Sequence, residues 1–241
     1  MNYYFITGTG RGIGKALAEL LLQSENNFVY GLSRSNEIAN KNFKHLKTDL
    51  NETDKVKLFE FPGLENAESI VLVNNSFSKM EILHMGKRTS ENIIENYNVN
   101  IISPSLLINN FLKKYQSYEN CKRIIINISS GAATTPIEAW STYCASKSAL
   151  AMMSEVINVE QKLKHPENPV HIFSFSPGVV DTDAQKEIRK ASPEDFSMVG
   201  EFIKFHANNQ LSSPESIAEK IYRVMQSPEK FEQILVKASE M

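Results

Sequence analysis

Short runs of β-branched and aromatic residues alternate along the chain with longer stretches in which apolar residues recur every three or four positions. Runs of the first kind predict strands, and the longer stretches predict amphipathic helices. The predicted strands are Tyr3–Thr7, Phe28–Ser33, Phe43–Thr48, Ser69–Asn74, Arg123–Ser129, Val170–Ser176 and Gln233–Lys237. The predicted helices lie near Gly12–Ser24, Thr53–Phe59, Ser90–Lys114, Ser141–Leu163 and Pro214–Gln226. This alternation indicates an α/β fold, a doubly wound parallel sheet with helices on both faces.

No linker, repeat or low-complexity stretch divides the 241 residues, so we expect a single domain over 1–241. Between Asp181 and Ser213 the periodicity becomes irregular. The apolar residues there include Phe196, Met198, Val199, Phe202 and Phe205. A segment of this length inside a compact domain is more often a lid or binding loop than a plain connection, which predicts a substrate lid around 183–212. The alternative is that these aromatic side chains are core residues packed against the last helix.

Composition narrows the class of protein. The net charge is -2 and 41% of the residues are hydrophobic, so nothing favours nucleic acid or a membrane surface as a partner. The two cysteines, Cys121 and Cys144, and the five histidines show no metal-ligand spacing. The chain starts directly with a strand pattern, without a charged leader, and no apolar run is long enough to span a bilayer. We therefore expect a cytoplasmic protein in a reducing compartment, without a metal site.

Tyr143 and Lys147 carry the most informative chemistry. They are four residues apart near the start of a predicted helix, so they share one face. Ser130 ends the preceding strand, thirteen residues before Tyr143. A tyrosine pKa is near 10 when unperturbed, and lowering it to roughly 7 beside a cation and a nicotinamide would correspond to about 4 kcal/mol. Such a phenol donates a proton to an alkoxide near neutral pH, which predicts carbonyl reduction.

The same spacing occurs a second time, at Tyr118 and Lys122, with Ser105 thirteen residues before Tyr118. Ser105 falls inside a helical pattern and Lys122 opens a strand, so these three side chains are not expected to converge. Only the set of Ser130, Tyr143 and Lys147 follows a strand and opens a helix.

A glycine-rich turn follows the first strand, with the sequence Thr7-Gly8-Thr9-Gly10-Arg11-Gly12-Ile13-Gly14. Glycines at a strand-to-helix turn let the backbone approach a pyrophosphate, and the helix N-terminus adds free N–H groups. The spacing is Gly-x-x-x-Gly-x-Gly, and the alternative is a turn that merely packs the strand on the helix. The turn predicts a dinucleotide site.

The end of the second strand selects the dinucleotide. An NAD site would carry an acidic residue there to bind the ribose 2′-hydroxyl. The chain has Ser33-Arg34-Ser35 instead, and Arg11 offers a second positive charge. These groups suit a 2′-phosphate, so we predict NADP(H), although exposed arginines are often plain surface residues.

Together these residues resemble the short-chain dehydrogenase/reductase family across essentially the whole chain. The motifs that carry the resemblance are the glycine turn, Asp49-Leu50, Asn74-Asn75, Asn100, Ser130, Tyr143, Lys147 and Pro177-Gly178. The benzil and sepiapterin reductase branch is most similar, through Ile126–Ala132, Trp140–Cys144 and Pro177–Thr182 followed by Gln185, Ile188 and Arg189. The resemblance implies a Rossmann fold of about seven strands.

The resemblance also implies roles for individual residues. Tyr143 would be the general acid, Lys147 would lower its pKa and bind the nicotinamide ribose, and Ser130 would polarise the carbonyl. Asn100 would hold a kinked helix and a water, and Ser129 would face away. The implied cofactor-binding residues are Gly8, Gly10, Arg11, Gly12, Ile13, Gly14, Ser33, Arg34, Asp49, Leu50, Asn75, Tyr143, Lys147, Pro177, Gly178, Val180 and Thr182. For Asp49, a helix N-cap is nearly as good an interpretation.

Three features bear on the substrate. Ser76-Phe77 stand where the family usually has Ala-Gly, so Phe77 either narrows the cofactor channel or turns toward the substrate. Trp140 either stacks on a planar ketone or is wedged between helix and loop. If Trp140 and the lid aromatics face the pocket, the substrate is a bulky, mostly apolar carbonyl or 1,2-dicarbonyl.

The sequence thus predicts an NADPH-dependent carbonyl reductase. Two alternatives remain, an NAD-dependent alcohol or hydroxysteroid dehydrogenase and a non-catalytic dinucleotide sensor. The resemblance implies a homodimer or homotetramer formed through the helices Ser90–Lys114 and Ser141–Leu163, although monomers exist.

Overall fold

The computed structural model describes residues 1–64, 66–78 and 81–241 and contains a seven-stranded parallel sheet. The strands are β1 (Asn2–Thr7), β2 (Asn27–Ser33), β3 (Phe43–Lys47), β4 (Ser69–Asn74), β5 (Lys122–Ile128), β6 (His171–Ser176) and β7 (Leu235–Lys237). Their order across the sheet is β3-β2-β1-β4-β5-β6-β7, and each neighbouring pair runs in parallel. The predicted doubly wound parallel sheet is confirmed, and the order reverses direction between β1 and β4.

The helices cover both faces of the sheet. They are α1 (Gly12–Leu21), α2 (Thr53–Val56), α3 (Ser90–Tyr97), α4 (Ser103–Tyr115), α5 (Ser141–Lys164), α6 (Asp183–Ile188), α7 (Val199–Ala207) and α8 (Pro214–Gln226). Side chains alternate along a strand, so Tyr4 and Ile6 of β1 join the core beneath α1 and α8, whereas Phe5 joins the core beneath α4 and α5. Both faces of the sheet are therefore buried, as continuous apolar strands require.

The stretch predicted as one helix, Ser90–Lys114, is interrupted. A π-helical turn over Asn98–Ile102 separates α3 from α4. Pro104 explains part of the break, because a proline has no N–H to pair with the carbonyl of Asn100 four residues earlier. A π-turn inside a helix is a frequent feature of functional sites.

The 183–212 segment contains more regular structure than its pattern suggested, namely α6 and α7. Its apolar side chains form a third, smaller cluster together with Ala132, Ala139 and Trp140. In the part of the chain that the structure describes, no helix is both long and apolar enough to cross a membrane.

Candidate active site

A cleft of about 1620 Å³ opens at the carboxyl edge of the sheet. Parallel strands end on the same edge, and in a doubly wound sheet the cleft lies where the strand order reverses. Of the predicted site residues, those that line it are Gly8, Gly10, Arg11, Gly12, Ile13, Ser33, Arg34, Asp49, Leu50, Asn75, Ser130, Tyr143, Lys147, Pro177, Gly178, Val180 and Thr182. Residues far apart in sequence are thus brought to one cavity.

The glycine turn is built for close approach by the backbone. Gly8 and Gly12 have φ values of +76° and +57°, in the left-handed region that favours glycine. A Cβ atom at Gly8 would lie 2.8 Å from Ser76 Oγ, so the turn and the end of β4 are in contact. Gly14 is buried behind the turn, and a Cβ there would overlap the Gly8 carbonyl oxygen. It lets α1 pack against the turn and does not line the cleft.

Two arginines stand near the end of β2. Arg34 is exposed at the cleft, and no salt bridge to it occurs among the described residues. Arg11 makes a salt bridge of 2.9 Å to Asp183 at the start of α6, with both side chains largely exposed. Arg34 therefore stands where the sequence predicts a cation, at the end of β2. The Arg11 guanidinium is paired with the Asp183 carboxylate.

Ser33 and Asp49 are held by local hydrogen bonds. The Ser33 hydroxyl donates to the Ser35 carbonyl oxygen at 2.6 Å and lies 3.1 Å from His45 Nε2, so it shapes the loop that carries Arg34. Asp49 Oδ1 accepts a hydrogen bond from the backbone N–H of Asn51 at 2.9 Å. The N-cap position of α2 is Glu52, so the N-cap interpretation of Asp49 is wrong. Its carboxylate stabilises a turn at the wall of the cleft.

Thr7 and Asn75 connect β1 to β4, and Thr7 was not identified from the sequence. Thr7 Oγ1 accepts from the backbone N–H of Asn75 at 2.9 Å and from that of Ser76 at 3.0 Å. The Asn75 side-chain amide donates back to the Thr7 carbonyl oxygen at 2.9 Å. Phe77 follows directly, and its side chain is 43% exposed and lines the cleft. The missing glycine therefore places an aromatic ring on the cleft wall.

Tyr143, Ser130 and Lys147 meet where β5 and α5 face the cleft. Lys147 is buried in the first turns of α5, and its Nζ atom donates to the Ile128 carbonyl oxygen at 2.7 Å. The same atom lies 5.7 Å from the centroid of the Tyr143 ring. Ser130 Oγ accepts from the Ala132 N–H at 3.2 Å, and the Ser130 side chain is hydrogen-bonded to the phenol of Tyr143. The predicted convergence of the three side chains is present.

The electrostatics of this group differ from the expectation of an acidic phenol. Burial raises the pKa of Tyr143 to about 12, and the hydrogen bond from Ser130 only partly opposes this. Burial also lowers the pKa of Lys147 to about 8. Lys147 is not among the causes of the Tyr143 pKa shift, and its ammonium binds the Ile128 carbonyl oxygen and faces the ring, so a lowering of that pKa by Lys147 beside a bound dinucleotide stays a prediction. The protein therefore holds Tyr143 as a neutral phenol, which is the form that donates a proton.

Asn100 does not line the cleft but lies behind Lys147, in the π-helical turn. Its Oδ1 atom accepts from the Ser78 N–H at 2.9 Å, and its Nδ2 atom donates to Ser146 Oγ at 3.2 Å. It thus joins the segment after β4 to α5, one residue before Lys147. Its position supports the implied structural role at the kink.

Trp140 is wedged and does not project freely into the cleft. It is 4% exposed, and its ring stacks on Phe196 at a centroid distance of 5.6 Å. Phe202 lies 5.7 Å away, and the Tyr143 ring is perpendicular to the indole at 5.7 Å. Phe196 and Phe202 are therefore packed around Trp140 and not against α8, although Trp140 and Phe202 still form part of the cleft wall.

Five polar residues that the sequence analysis did not count among the site residues also line the cleft. They are Glu81, Arg88, Asn92, Glu95 and Gln185. The first four lie between β4 and α4, where no motif or spacing marks them. Gln185 is buried and donates to the Phe202 carbonyl oxygen at 3.1 Å, which ties α6 to α7.

Comparison with known proteins agrees with this geometry. Residues 2–193 match the family model described as short chain dehydrogenase. The chain is 33% identical to a benzil reductase ((S)-benzoin forming) of Bacillus cereus, over 95% of this chain and 96% of that protein. It is 28% identical to a sepiapterin reductase of Xenopus laevis, over 89% and 91% of the two chains. The fold matches a solved short chain dehydrogenase/reductase from Saccharomyces cerevisiae with a TM-score of 0.82, at 22% identity over 99% and 96% of the chains.

Proposed function

The chain belongs to the short-chain dehydrogenase/reductase family, in its benzil and sepiapterin reductase branch, and we propose that it is an NADPH-dependent reductase of ketones and 1,2-dicarbonyls. Members of the family are oxidoreductases that act on carbonyl and alcohol groups. The observation that carries the proposal is the meeting of a neutral phenol, a hydroxyl and a buried ammonium at the wall of an open cleft.

The residues present fit a nicotinamide dinucleotide. Gly8 and Gly12 hold the backbone in a shape that leaves no side chain over the turn, and the N-terminus of α1 has no side-chain cap to occupy its N–H groups. Asp49, Leu50 and Asn75 line the cleft and would hold the adenosine part, and Pro177, Gly178, Val180 and Thr182 line it and would hold the nicotinamide part. The bound dinucleotide supplies hydride, and the protein supplies position and protons.

Tyr143 supplies the proton. Its hydroxyl donates to the carbonyl oxygen as negative charge develops there, and Ser130 donates a second hydrogen bond to the same oxygen. Lys147 is fixed by the Ile128 carbonyl, so its charge stays beside the ring while the phenol gives up its proton. A positioned acid of this kind contributes about 10²- to 10⁴-fold to rate.

The preference for NADPH is supported by Arg34, an exposed cation at the end of β2, where no acidic residue stands. The substrate class is supported by the apolar wall beside Tyr143, formed by Ile137, Trp140, Val179 and Phe202. We infer that a bulky, mostly apolar carbonyl binds against this wall.

A panel of carbonyls tests this function. We expect benzil and related aryl diketones to be reduced fastest, with NADPH preferred over NADH. In Arg34→Asp, turnover at low NADPH should fall about 10- to 100-fold, because a charge-assisted contact to phosphate is worth about 1.5–3 kcal/mol, and turnover with NADH should rise. Initial rates at several dinucleotide concentrations, with chiral analysis of the product, provide the measurement.

Lys47→Asp is the matched control, since Lys47 is an exposed cation on the neighbouring strand β3 that does not line the cleft. Equal use of NADPH by Arg34→Asp and by Lys47→Asp would show that Arg34 does not select the dinucleotide. NADPH binding without oxidation by any carbonyl would favour the sensor alternative.

We also propose that the protein forms a homodimer through α4 and α5. Four apolar side chains are exposed on α5, namely Met152, Val156, Val159 and Leu163. Spacings of four, three and four residues put them on one helical face, and Ile102 is exposed at the end of the π-helical turn that precedes α4. Val156→Glu should therefore shift the mass measured by light scattering toward that of one chain, with Glu219→Gln on the exposed face of α8 as control. An unchanged mass would place the interface elsewhere.

A further inference from the structure

Ala139 is held in a backbone conformation that alanine avoids. Its φ is +61°, in the left-handed region, where the Cβ atom crowds the following carbonyl oxygen. The other non-glycine residues with positive φ in the described ranges are Asn66 and Asn209, and asparagine tolerates this region. Ala139 comes directly before Trp140 and the start of α5, which carries Tyr143. The strain therefore lies at the base of the helix that presents the proton donor.

Arg88 binds the strained residue from 51 positions away in sequence. Its Nη2 atom donates to the Ala139 carbonyl oxygen at 2.7 Å and to the Glu81 carbonyl oxygen at 2.9 Å. The Leu83 N–H donates to the same Ala139 oxygen at 3.3 Å. A single guanidinium nitrogen, Nη2, thus links two backbone carbonyls from separate segments.

The surroundings of Arg88 fit a structural cation. The side chain is half-buried, and burial lowers its pKa while the charge of Glu81 opposes that shift. The Glu81 carboxylate is itself fixed, because Oε1 accepts from the Asn92 side-chain amide at 2.8 Å. Arg88 lines the cleft, but its Nη2 atom is bonded to two protein carbonyls, and the nearby charge of Glu81 favours its charged form.

We propose that Arg88 is a positioning residue for Tyr143. It holds Ala139 in the left-handed conformation, and this conformation seats Trp140 between Phe196 and the Tyr143 ring. Without the guanidinium, Ala139 relaxes toward negative φ, and the first turn of α5 shifts with it. This inference rests on the proposed function only for its kinetic readout.

The test uses Arg88→Met, Ala139→Gly and the double variant. Glycine adopts positive φ without a Cβ clash, so the turn no longer needs the guanidinium. We expect Arg88→Met to lower kcat for benzil about tenfold with little change in KM or in NADPH affinity. Ala139→Gly alone should behave nearly as wild type, and the double variant should recover most of the lost kcat. Lys87→Met, an exposed neighbour paired with Asp195, is the control.

A second readout does not depend on turnover. Trp140 is the only tryptophan in the sequence, so the intrinsic emission excited at the red edge reports on this turn alone. Arg88→Met should shift the emission to longer wavelength and increase quenching by acrylamide, and the double variant should reverse both changes. If Arg88→Met does not fold, Arg88→Gln, whose side chain is uncharged and two bonds shorter, replaces it in the same cycle.

Three results would overturn the proposal. The first is wild-type kcat and emission in folded Arg88→Met. The second is a double variant whose kcat is as low as that of Arg88→Met, because this would show that Arg88 does not act through the conformation of Ala139. The third is a rise in KM confined to ketones that carry a carboxylate, which would make Arg88 a substrate anchor. A wild-type protein that reduces no carbonyl contradicts the proposed function, and the fluorescence cycle then still decides the role of Arg88.

Discussion

Tyr143→Phe should lower NADPH-dependent reduction of benzil about a thousandfold and leave NADPH binding within about twofold of wild type. The substitution removes one oxygen atom and retains the ring that packs perpendicular to Trp140. Because burial keeps the phenol neutral, the lost group is the proton donor itself. Single-turnover measurements of NADPH oxidation, together with fluorescence titration of NADPH, separate the proton step from binding.

Tyr118→Phe provides the matched control. Tyr118 stands four residues before Lys122 and repeats the interval of the Tyr143 and Lys147 pair. Its ring packs on Tyr115 in the core beneath α4, and Tyr118 does not line the cleft. We expect its activity to match wild type. Retention of activity by Tyr143→Phe would mean that another group protonates the substrate.

Lys147→Met should lower carbonyl reduction about a hundredfold without lowering the stability of the fold at pH 7. The pKa of Lys147 is about 8 in the folded protein, below its ordinary value of 10.5. The folded state therefore releases this proton more readily than the unfolded state does. The penalty for burying the charge is about 3 kcal/mol, fully present below pH 8, and it disappears as the pH rises toward 10.5.

Methionine removes that penalty but leaves the Ile128 carbonyl oxygen without its donor, which costs about 1–3 kcal/mol. The removed burial penalty and the cost of the unpaired carbonyl nearly cancel at pH 7, so the free energy of unfolding should change little there. Between pH 8 and 10.5 wild type should gain stability relative to Lys147→Met, as measured by urea unfolding.

The rate of carbonyl reduction by wild type should decline above about pH 8, where Lys147 loses its charge. Lys122→Met, an exposed lysine, is the control, and a large loss of stability at pH 7 in Lys147→Met would contradict the assigned penalty.

The sequence predicted the fold well where a local pattern decides the outcome. Five of the seven strands, β1, β2, β4, β5 and β6, are largely buried, and the ends of all seven predicted strands agree with the structure within two residues. Helices α5 and α8 were equally clear. The helices of the 183–212 segment were not clear from the sequence. Helix α6 is too short to show a periodic pattern, and α7 packs on Trp140 through a cluster assembled from distant parts of the chain.

The residues of the candidate site also divide into those that a local sequence pattern marks and those that only the folded structure brings in. Tyr143, Lys147 and Ser130 were found because the chemistry fixes their spacing on one strand and one helix. The sequence did not show that Gly14 lies outside the cleft lining, because a glycine that packs a helix and a glycine that faces a ligand look alike in sequence. Arg88 was missed because its partner Ala139 lies 51 residues away, and the φ of an alanine leaves no mark in the sequence. The Tyr143 pKa depends on burial, which spacing alone does not reveal.

The three apolar clusters have a consequence for how such proteins diverge. Helices α6 and α7 are anchored by a small cluster of their own, separate from the two that sandwich the sheet. We call α6, α7 and this third cluster the outer unit. Substitutions in the outer unit should leave the two clusters at the sheet nearly unchanged, so the choice of substrate can change while the protein still folds. Trp140 limits this freedom, since it belongs to the outer unit and also touches the proton donor. Directed evolution of the outer unit should therefore succeed most often when the indole is kept.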